Sequence, residues 1–322
     1  MRKLKSIAVC ALCLCLLLGL AGCAAAQRPL RVTLVLKTVT EVAEFWGTLL
    51  SGVEKAAAEY GVELKVLTAP REVDIDEQIE LIRQVTAEKP DVMILSASDY
   101  DRCAEATEEA IAAGIGVVAV DTDVNAVGRA CFVGSNNYEV GLEMGRAMAS
   151  YLPEGGKVAV IQHMLTTTTG IDRTRGVIDA LTKAGNIEIL GSFCCDNSTD
   201  RAQSLTKELL EQTPDISGFV CTNEVCNVGA ANALVELGMG GKVFVVGCDN
   251  SQRQIAFLEQ NIIQAIVTQR PFNMGYIAVQ QAVEVASGEK TADFVEVPCV
   301  LITRENMYTQ ENQKLLFPLT GE

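Results

Sequence analysis

Three observations predict an α/β fold built on parallel sheet. Short β-branched apolar runs alternate with longer helical stretches from residue 31 to about residue 287. The runs are continuously apolar, as strands covered on both faces are. About 300 residues follow residue 22, too many for one ordinary core and suited to two domains or one large α/β domain.

The elements follow in order. A strand is placed at Val32–Leu36 and a helix over 44–60, with Gly61 free to take the left-handed turn beyond its end. Glu63–Leu67 is the next strand, and the helix over 74–88 is stopped by Pro90. Val92–Leu95 leads to a helix over 101–113, with Asp101 as its cap and Gly114 past its end. Val117–Val120 follows. The short apolar run Cys131–Val133 then enters Gly134-Ser135-Asn136-Asn137, a candidate crossing between domains, ahead of a helix over 138–151. Strands at Lys157–Ile161, Phe219–Cys221, Val243–Val246 and Ile262–Val267 complete the series. Helices over 172–184, 200–212 (capped by Asp200), 224–237 (ended by Gly238), 251–259 and 272–287 accompany them. No Pro/Gly/Ser-rich linker divides the chain, so two domains would be joined by several short crossings.

In such a sheet the loops at strand C-terminal ends gather on one side, where ligands bind. Those loops carry the candidate chemistry. Phe45 and Trp46, the only tryptophan, stand just after the first strand. They form an apolar wall suited to the C–H face of a sugar ring, or they fill the core beneath the first helix. Asp121, Asn223 and Asp249 each follow an apolar strand directly. Such groups accept from or donate to vicinal hydroxyls, or cap the helices that follow. Arg173 begins Arg173-Thr174-Arg175-Gly176. Its guanidinium can fork onto two oxygens of a ligand, although one of these arginines could equally pair with a surface acid. His163 is the only histidine and has no identifiable partner for nucleophilic or metal work.

Other chemistries find no support. Asp121-Thr122-Asp123-Val124-Asn125 opens like a calcium loop, but Ala126 stands where glycine is needed and Phe132 where the bidentate Glu belongs. There is no Walker loop, no G-x-G-x-x-G after a strand, no G-x-S-x-G and no H-E-x-x-H. No metal site, cofactor or enzymatic activity is expected. Without residues 1–22 the chain has 23 basic and 41 acidic residues, a formal charge of −18, which opposes nucleic acid as a partner. Eight of the twelve cysteines lie after Cys23. They are scattered, and several, such as Cys221 and Cys248, sit in strand-like runs as small hydrophobes.

Arg2, Lys3 and Lys5 precede the apolar run Ile7–Leu18, which is too short to span a bilayer. Leu20-Ala21-Gly22-Cys23 resembles a bacterial lipobox. The resemblance implies a signal peptide over 1–22, cleavage before Cys23 and lipid attachment to its thiol. The working domain would then stand outside the cytoplasm, at the cell surface or in the periplasm.

From about Arg31 to Asn306 the chain resembles the ribose/galactose-type periplasmic sugar-binding proteins, receptors of bacterial sugar ABC importers. The resemblance rests on markers in order: Phe45-Trp46 before Gly52-Val53-Glu54-Lys55-Ala56-Ala57; Asp74-x-Asp76-Glu77-Gln78 before Lys89-Pro90-Asp91; Val118-Ala119-Val120-Asp121; Arg173-Thr174-Arg175-Gly176; Thr222-Asn223-Glu224; Val245-Val246-Gly247-Cys248-Asp249; and Gln269-Arg270-Pro271-Phe272-Asn273-Met274-Gly275-Tyr276. It implies two doubly wound, Rossmann-like lobes with parallel sheets, joined by three crossings and enclosing a sugar. After a lipidated linker at 23–30, residues 31–134 with 270–291 would form the first lobe, and 135–269 with 292–322 the second. By this similarity Phe45, Trp46 and Asp121 would hold the sugar from the first lobe. Arg173, Asn223 and Asp249 would hold it from the second, with Gln269 at a crossing. Ser96 and Thr122 fall at ligand positions where ribose-type members often carry Asn and Arg. Ala43 replaces an Asn, and Lys37, Glu41 and Glu44 crowd the first loop with charge. The sugar need not be ribose: a hexose, another pentose or a polyol stays open. The implied partners are a small sugar or polyol and a membrane permease, and the implied state is a monomer. A sensory receptor presenting the same closed form to a chemotaxis or kinase partner is the alternative.

Overall fold

The computed structural model describes residues 28–38 and 44–317. The lipobox and Cys23 therefore lie outside the described residues. Twelve strands and ten helices are found among those described, and the strands form two six-stranded sheets.

The first sheet takes β1 (Arg31–Leu36), β2 (Glu63–Thr68), β3 (Val92–Leu95), β4 (Gly116–Val120), β5 (Cys131–Gly134) and β11 (Phe294–Glu296), in the order β11-β5-β4-β3-β1-β2. The second takes β6 (Gly156–Gln162), β7 (Ile187–Cys194), β8 (Ile216–Cys221), β9 (Phe244–Cys248), β10 (Ala265–Thr268) and β12 (Val300–Thr303), in the order β12-β10-β9-β8-β6-β7. Apart from the outer strands β11 and β12 the two orders are the same. Every pairing is parallel except β10 with β12.

The continuous apolar runs are explained by burial on both faces. In β1, Val32, Leu34 and Leu36 enter one core cluster and Val35 another. In β8, Phe219 and Cys221 face one cluster and Val220 the other. Period-2 geometry sends successive side chains to opposite faces, so both must be apolar. Edge strands escape this rule. β7 is half-exposed, bulged beside Val158 of β6, and carries Gly191 at φ 128°; its residues give no continuous apolar run.

The helices of the first lobe are α1 (Glu44–Tyr60), α2 (Ile75–Glu88), α3 (Ala104–Ala112) and α9 (Pro271–Ala286). Those of the second are α4 (Asn137–Tyr151), α5 (Thr168–Ala184), α6 (Thr199–Gln212), α7 (Glu224–Glu236), α8 (Gln252–Glu259) and α10 (Gln310–Leu316). The chain exchanges a helix at each of two crossings: α4 leaves the first sheet to pack on α5, and α9 leaves the second to pack on α1. Both helix pairs approach through glycine. A Cβ on Gly52 would lie 2.0 Å from the Phe272 carbonyl oxygen, and one on Gly176 2.3 Å from that of Tyr138. Neither position admits a side chain without separating the helices.

Two caps differ from expectation. α3 begins three residues after Asp101; Asp99 Oδ1 accepts the N–H groups of Asp101 and Arg102 instead, at 3.0 and 2.8 Å. Ser198, not Asp200, caps α6, accepting from Arg201 N–H at 3.3 Å. The lobe boundary is also corrected. Residues 292–322 do not all join the second lobe, because Phe294–Glu296 pairs in parallel with β5 of the first sheet. The third crossing therefore runs between Glu296 and Val300. The eight described cysteines are all free thiols, and Cys103, Cys131, Cys195, Cys221, Cys226 and Cys248 are buried.

The candidate ligand site between the lobes

The three crossings meet at Ser135. Its hydroxyl lies 3.2 Å from both Gln269 Oε1 and the Val297 carbonyl, and accepts from Cys299 Sγ at 3.0 Å. Gln269 Nε2 donates in turn to Asp249 Oδ1 at 2.6 Å, and Asp249 Oδ2 accepts the Glu224 N–H at 2.9 Å. One chain of hydrogen bonds thus joins the crossings to the loops facing the other lobe.

The lobes are closed on each other. Tyr100 N–H donates to the Thr166 carbonyl at 2.9 Å, and Asp123 N–H to Thr168 Oγ1 at 3.1 Å. Between them lies a small cavity. Lys37, Phe45, Trp46, Glu72 and Asp121 line it from the first lobe, and His163, Thr169, Arg173, Asn223 and Asp249 face them from the second. Asn197, Glu224 and Val225 add to the second wall, and Gln269 stands at the crossing.

Asp121 and Asp249 occupy equivalent corners. Each follows the fourth strand of its lobe in the left-handed region, at φ 64° and 76°. Each backbone N–H donates to the neighbouring strand, Asp121 to the Val133 carbonyl at 2.9 Å and Asp249 to that of Val267 at 3.0 Å. Asp tolerates this conformation better than β-branched residues do. The turn aims both carboxylates at the crevice.

Seven of the nine expected site residues come together here: Phe45, Trp46, Asp121, Arg173, Asn223, Asp249 and Gln269. Ser96 and Thr122 are not among the lining residues. Both are fully buried, and their hydroxyls bond each other at 2.9 Å behind Asp121. Short hydroxyl side chains facing one another there cannot reach the cavity. The two readings of Trp46 merge. It is 4 % exposed and belongs to the first lobe's core, yet one face meets the cavity. Its Nε1 donates to Glu72 Oε1 at 3.3 Å, and Phe45 packs edge-on against it at 5.0 Å. Asn223 also serves twice: it caps α7 through Cys226 N–H at 3.1 Å and donates to Asn197 Oδ1 at 2.9 Å. Of the two arginines, one takes the surface pairing foreseen. Arg175 is exposed and pairs with Asp172. Arg173 is 2 % exposed; Nε donates to Asn137 Oδ1 at 3.0 Å and Nη1 to the Thr222 carbonyl at 2.9 Å, and Nη2 has no partner.

Lys37 and Glu72 were not read as ligand groups. Lys37 Nζ lies 3.5 Å from Asp121 Oδ2, 3.7 Å from Glu72 Oε2 and 5.1 Å from the Trp46 ring centre. All three charged residues are buried. The strand-end rule could have found Lys37, which follows β1 directly, and Glu72, which lies in the loop after β2.

Burial dominates the site's protonation. It raises the carboxyls of Glu72 and Asp121 above their ordinary values, although Lys37 opposes the shift in both. It holds His163 well below the usual imidazole value, with Arg173 and Lys37 adding to the effect. His163 is neutral at pH 7; Nδ1 contacts Thr222 Oγ1 at 2.7 Å and Nε2 Thr169 Oγ1 at 3.1 Å. Burial, and then the charge of Asp249, pushes the Glu224 carboxyl to about 8. A carboxyl that keeps its proton in the native state past its unfolded value loses stability as pH rises between the two. Glu224→Gln, which mimics the neutral acid, is therefore expected to melt above wild type at pH 8.5. That advantage should shrink toward pH 4.5, as thermal unfolding across the range will check.

Among the described residues no group of His, Cys, Asp and Glu side chains is placed to hold a metal ion, and no helix is long and apolar enough to cross a membrane.

Two similar Rossmann-like lobes, three crossings and an enclosed cleft define a type I two-lobed binding protein. The periplasmic binding protein domain matches residues 33–290. The chain belongs to that family. It is 26% identical over 302 residues to the D-allose-binding periplasmic protein of Escherichia coli, covering 89% of this chain and 96% of that one. A sugar transporter from Clostridium phytofermentans superposes with a TM-score of 0.79 at 30% identity, over 84% of this chain and 98% of the other. GanP, a glucose-galactose binding protein from Geobacillus stearothermophilus, superposes with a TM-score of 0.83 at 26% identity, over 88% and 100%. The relatives are binding and transport proteins, not enzymes, and the chain is a binding protein.

Proposed function

We propose that the protein is an extracytoplasmic receptor, held to the membrane by lipid on Cys23, that captures a monosaccharide or similar polyol and delivers it to an ABC importer. One observation carries the ligand class. Arg173 Nη2, an unpartnered donor from the second lobe, and Glu72 Oε2, an acceptor with no hydrogen-bond partner from the first, meet at one small cavity beside Phe45 and Trp46. An anion would answer only the arginine and an ammonium only the carboxylate. A hydroxyl both donates and accepts, so vicinal hydroxyls on a ring with apolar faces answer all of them. The sugar ligands named for the relatives support the same reading.

The mechanism follows from the division of the wall. Each lobe presents part of the wall, so a ligand touching both favours the closed state by its differential affinity. Micromolar affinity needs about 8 kcal/mol net. Four to six charge-assisted hydrogen bonds at about 1.5–3 kcal/mol each exceed that before ordering costs are subtracted. The closed form would then dock on the permease.

Calorimetric titration of the full-length protein with pentoses, hexoses and polyols tests the reading. At least one should bind, and Asp249→Ala should weaken it at least tenfold, because the change removes an acceptor from the cavity and the anchor for Gln269. Binding by no sugar or polyol would overturn the assignment, and unchanged affinity in the variant would remove Asp249 from the site.

A further inference from the structure

A second, partly open chamber adjoins the cavity. Phe45, Glu224, Asp249 and Gln269 line both, so the two spaces share one wall. The chamber's apolar surface comes from Phe45, Pro271, Phe272, Leu315 and Leu316, and its rim from polar groups such as Asn273 and Lys314.

Its outer wall is α10, which follows the last strand of the second sheet. Asn250 Nδ2 donates to the Leu315 carbonyl at 3.1 Å, fixing the helix to the residue next to Asp249. Arg270 also lines the chamber. Aromatic and aliphatic walls with a polar rim suit a ring with apolar faces and oxygen substituents. A single sugar ring bound between Asp121 and Asp249 would leave this space unfilled.

We infer that the ligand is a glycoside whose first ring lies between the lobes and whose second, glycosidically linked ring occupies the chamber walled by Phe272 and α10. This rests on the sugar-receptor reading and extends it. The two chambers meet at Phe45, where one aromatic side chain can pack against both rings.

The test is calorimetric titration of the full-length protein with monosaccharides, their disaccharides and their phenyl glycosides. A two-ring ligand should bind at least tenfold more tightly than its one-ring parent. Phe272→Ala removes exposed wall, and Asn273→Trp, at an exposed rim position, fills the space. Each should abolish that margin while leaving the one-ring affinity unchanged. A disaccharide preference would show a hydroxylated second ring, and a phenyl glycoside preference an apolar one; either supports the inference. Equal or tighter binding of the monosaccharides, or a margin that survives both variants, would overturn it and leave the receptor reading standing. Failure of every sugar, long or short, would end both.

Discussion

Arg173→Lys is expected to weaken ligand binding about 100-fold and to destabilise the protein. The residue is 2 % exposed; its guanidinium holds Asn137 on α4 and the Thr222 carbonyl after β8, its Nη2 has no partner, and the side chain lines the cavity. An ammonium on a flexible stem cannot reproduce that planar fork. Two outcomes follow from the geometry. The ligand loses a charge-assisted hydrogen bond, and the loop before α7 loses the donor that holds its carbonyl. A tenfold change in affinity is about 1.4 kcal/mol, so 100-fold lies within the range for one charged hydrogen bond plus misplacement of its neighbours. Calorimetric titration reads the first effect and chemical denaturation the second. Wild-type affinity in the variant would show that Arg173 serves only as a structural bolt.

Lys37→Met should have the larger effect on stability, on the order of 3–5 kcal/mol at pH 8, as when one partner of a buried pair is removed. Methionine keeps much of the volume but leaves Glu72 and Asp121, 6 % and 5 % exposed, without the ammonium between them. Both carboxyls are already raised by burial against the opposing effect of Lys37. Without the lysine they must rise further. A carboxyl raised in the native state has its stability intact at low pH and loses it as pH climbs through that raised value. The deficit of the variant should therefore be large at pH 8 and shrink toward pH 5. A deficit independent of pH would mean that Lys37 contributes packing and not charge compensation.

Four structural devices organise the site, and they differ in how far the residues announce them. Strand alternation and the loop rule were legible. Val32–Leu36, Val92–Leu95 and Phe219–Cys221 read as two-sided strands because both faces meet core, and seven of the nine site residues expected beyond the strand ends of the two sheets line the cavity. Edge elements were not legible. β7 is half-exposed and bulged, β11 is only three residues long, and in β12 only Ile302 is fully buried, so none shows a two-sided apolar run. Caps were partly legible. Asp101 and Asp200 have the right chemistry but the wrong register: Ser198 caps α6, and Asp99 closes the turn ahead of α3, which has no side-chain cap.

The amino-acid sequence alone determined the alternating α/β pattern, the family resemblance and the positions where polar groups leave strand ends, because a continuous apolar run and the polar residue that ends it are written in neighbouring residues. Tertiary structure alone decided which of those groups share a cavity. Ser96 and Lys37 both follow strands of the first sheet, and their positions at the strand ends do not tell them apart. Lys37 enters the cleft and Ser96 bonds Thr122 behind it, since reach across a crevice depends on side-chain length and on where the opposite lobe closes. The exchange of Phe294–Glu296 into the first sheet is of the same kind: a three-residue strand is fixed by the partner it finds, not by its own residues.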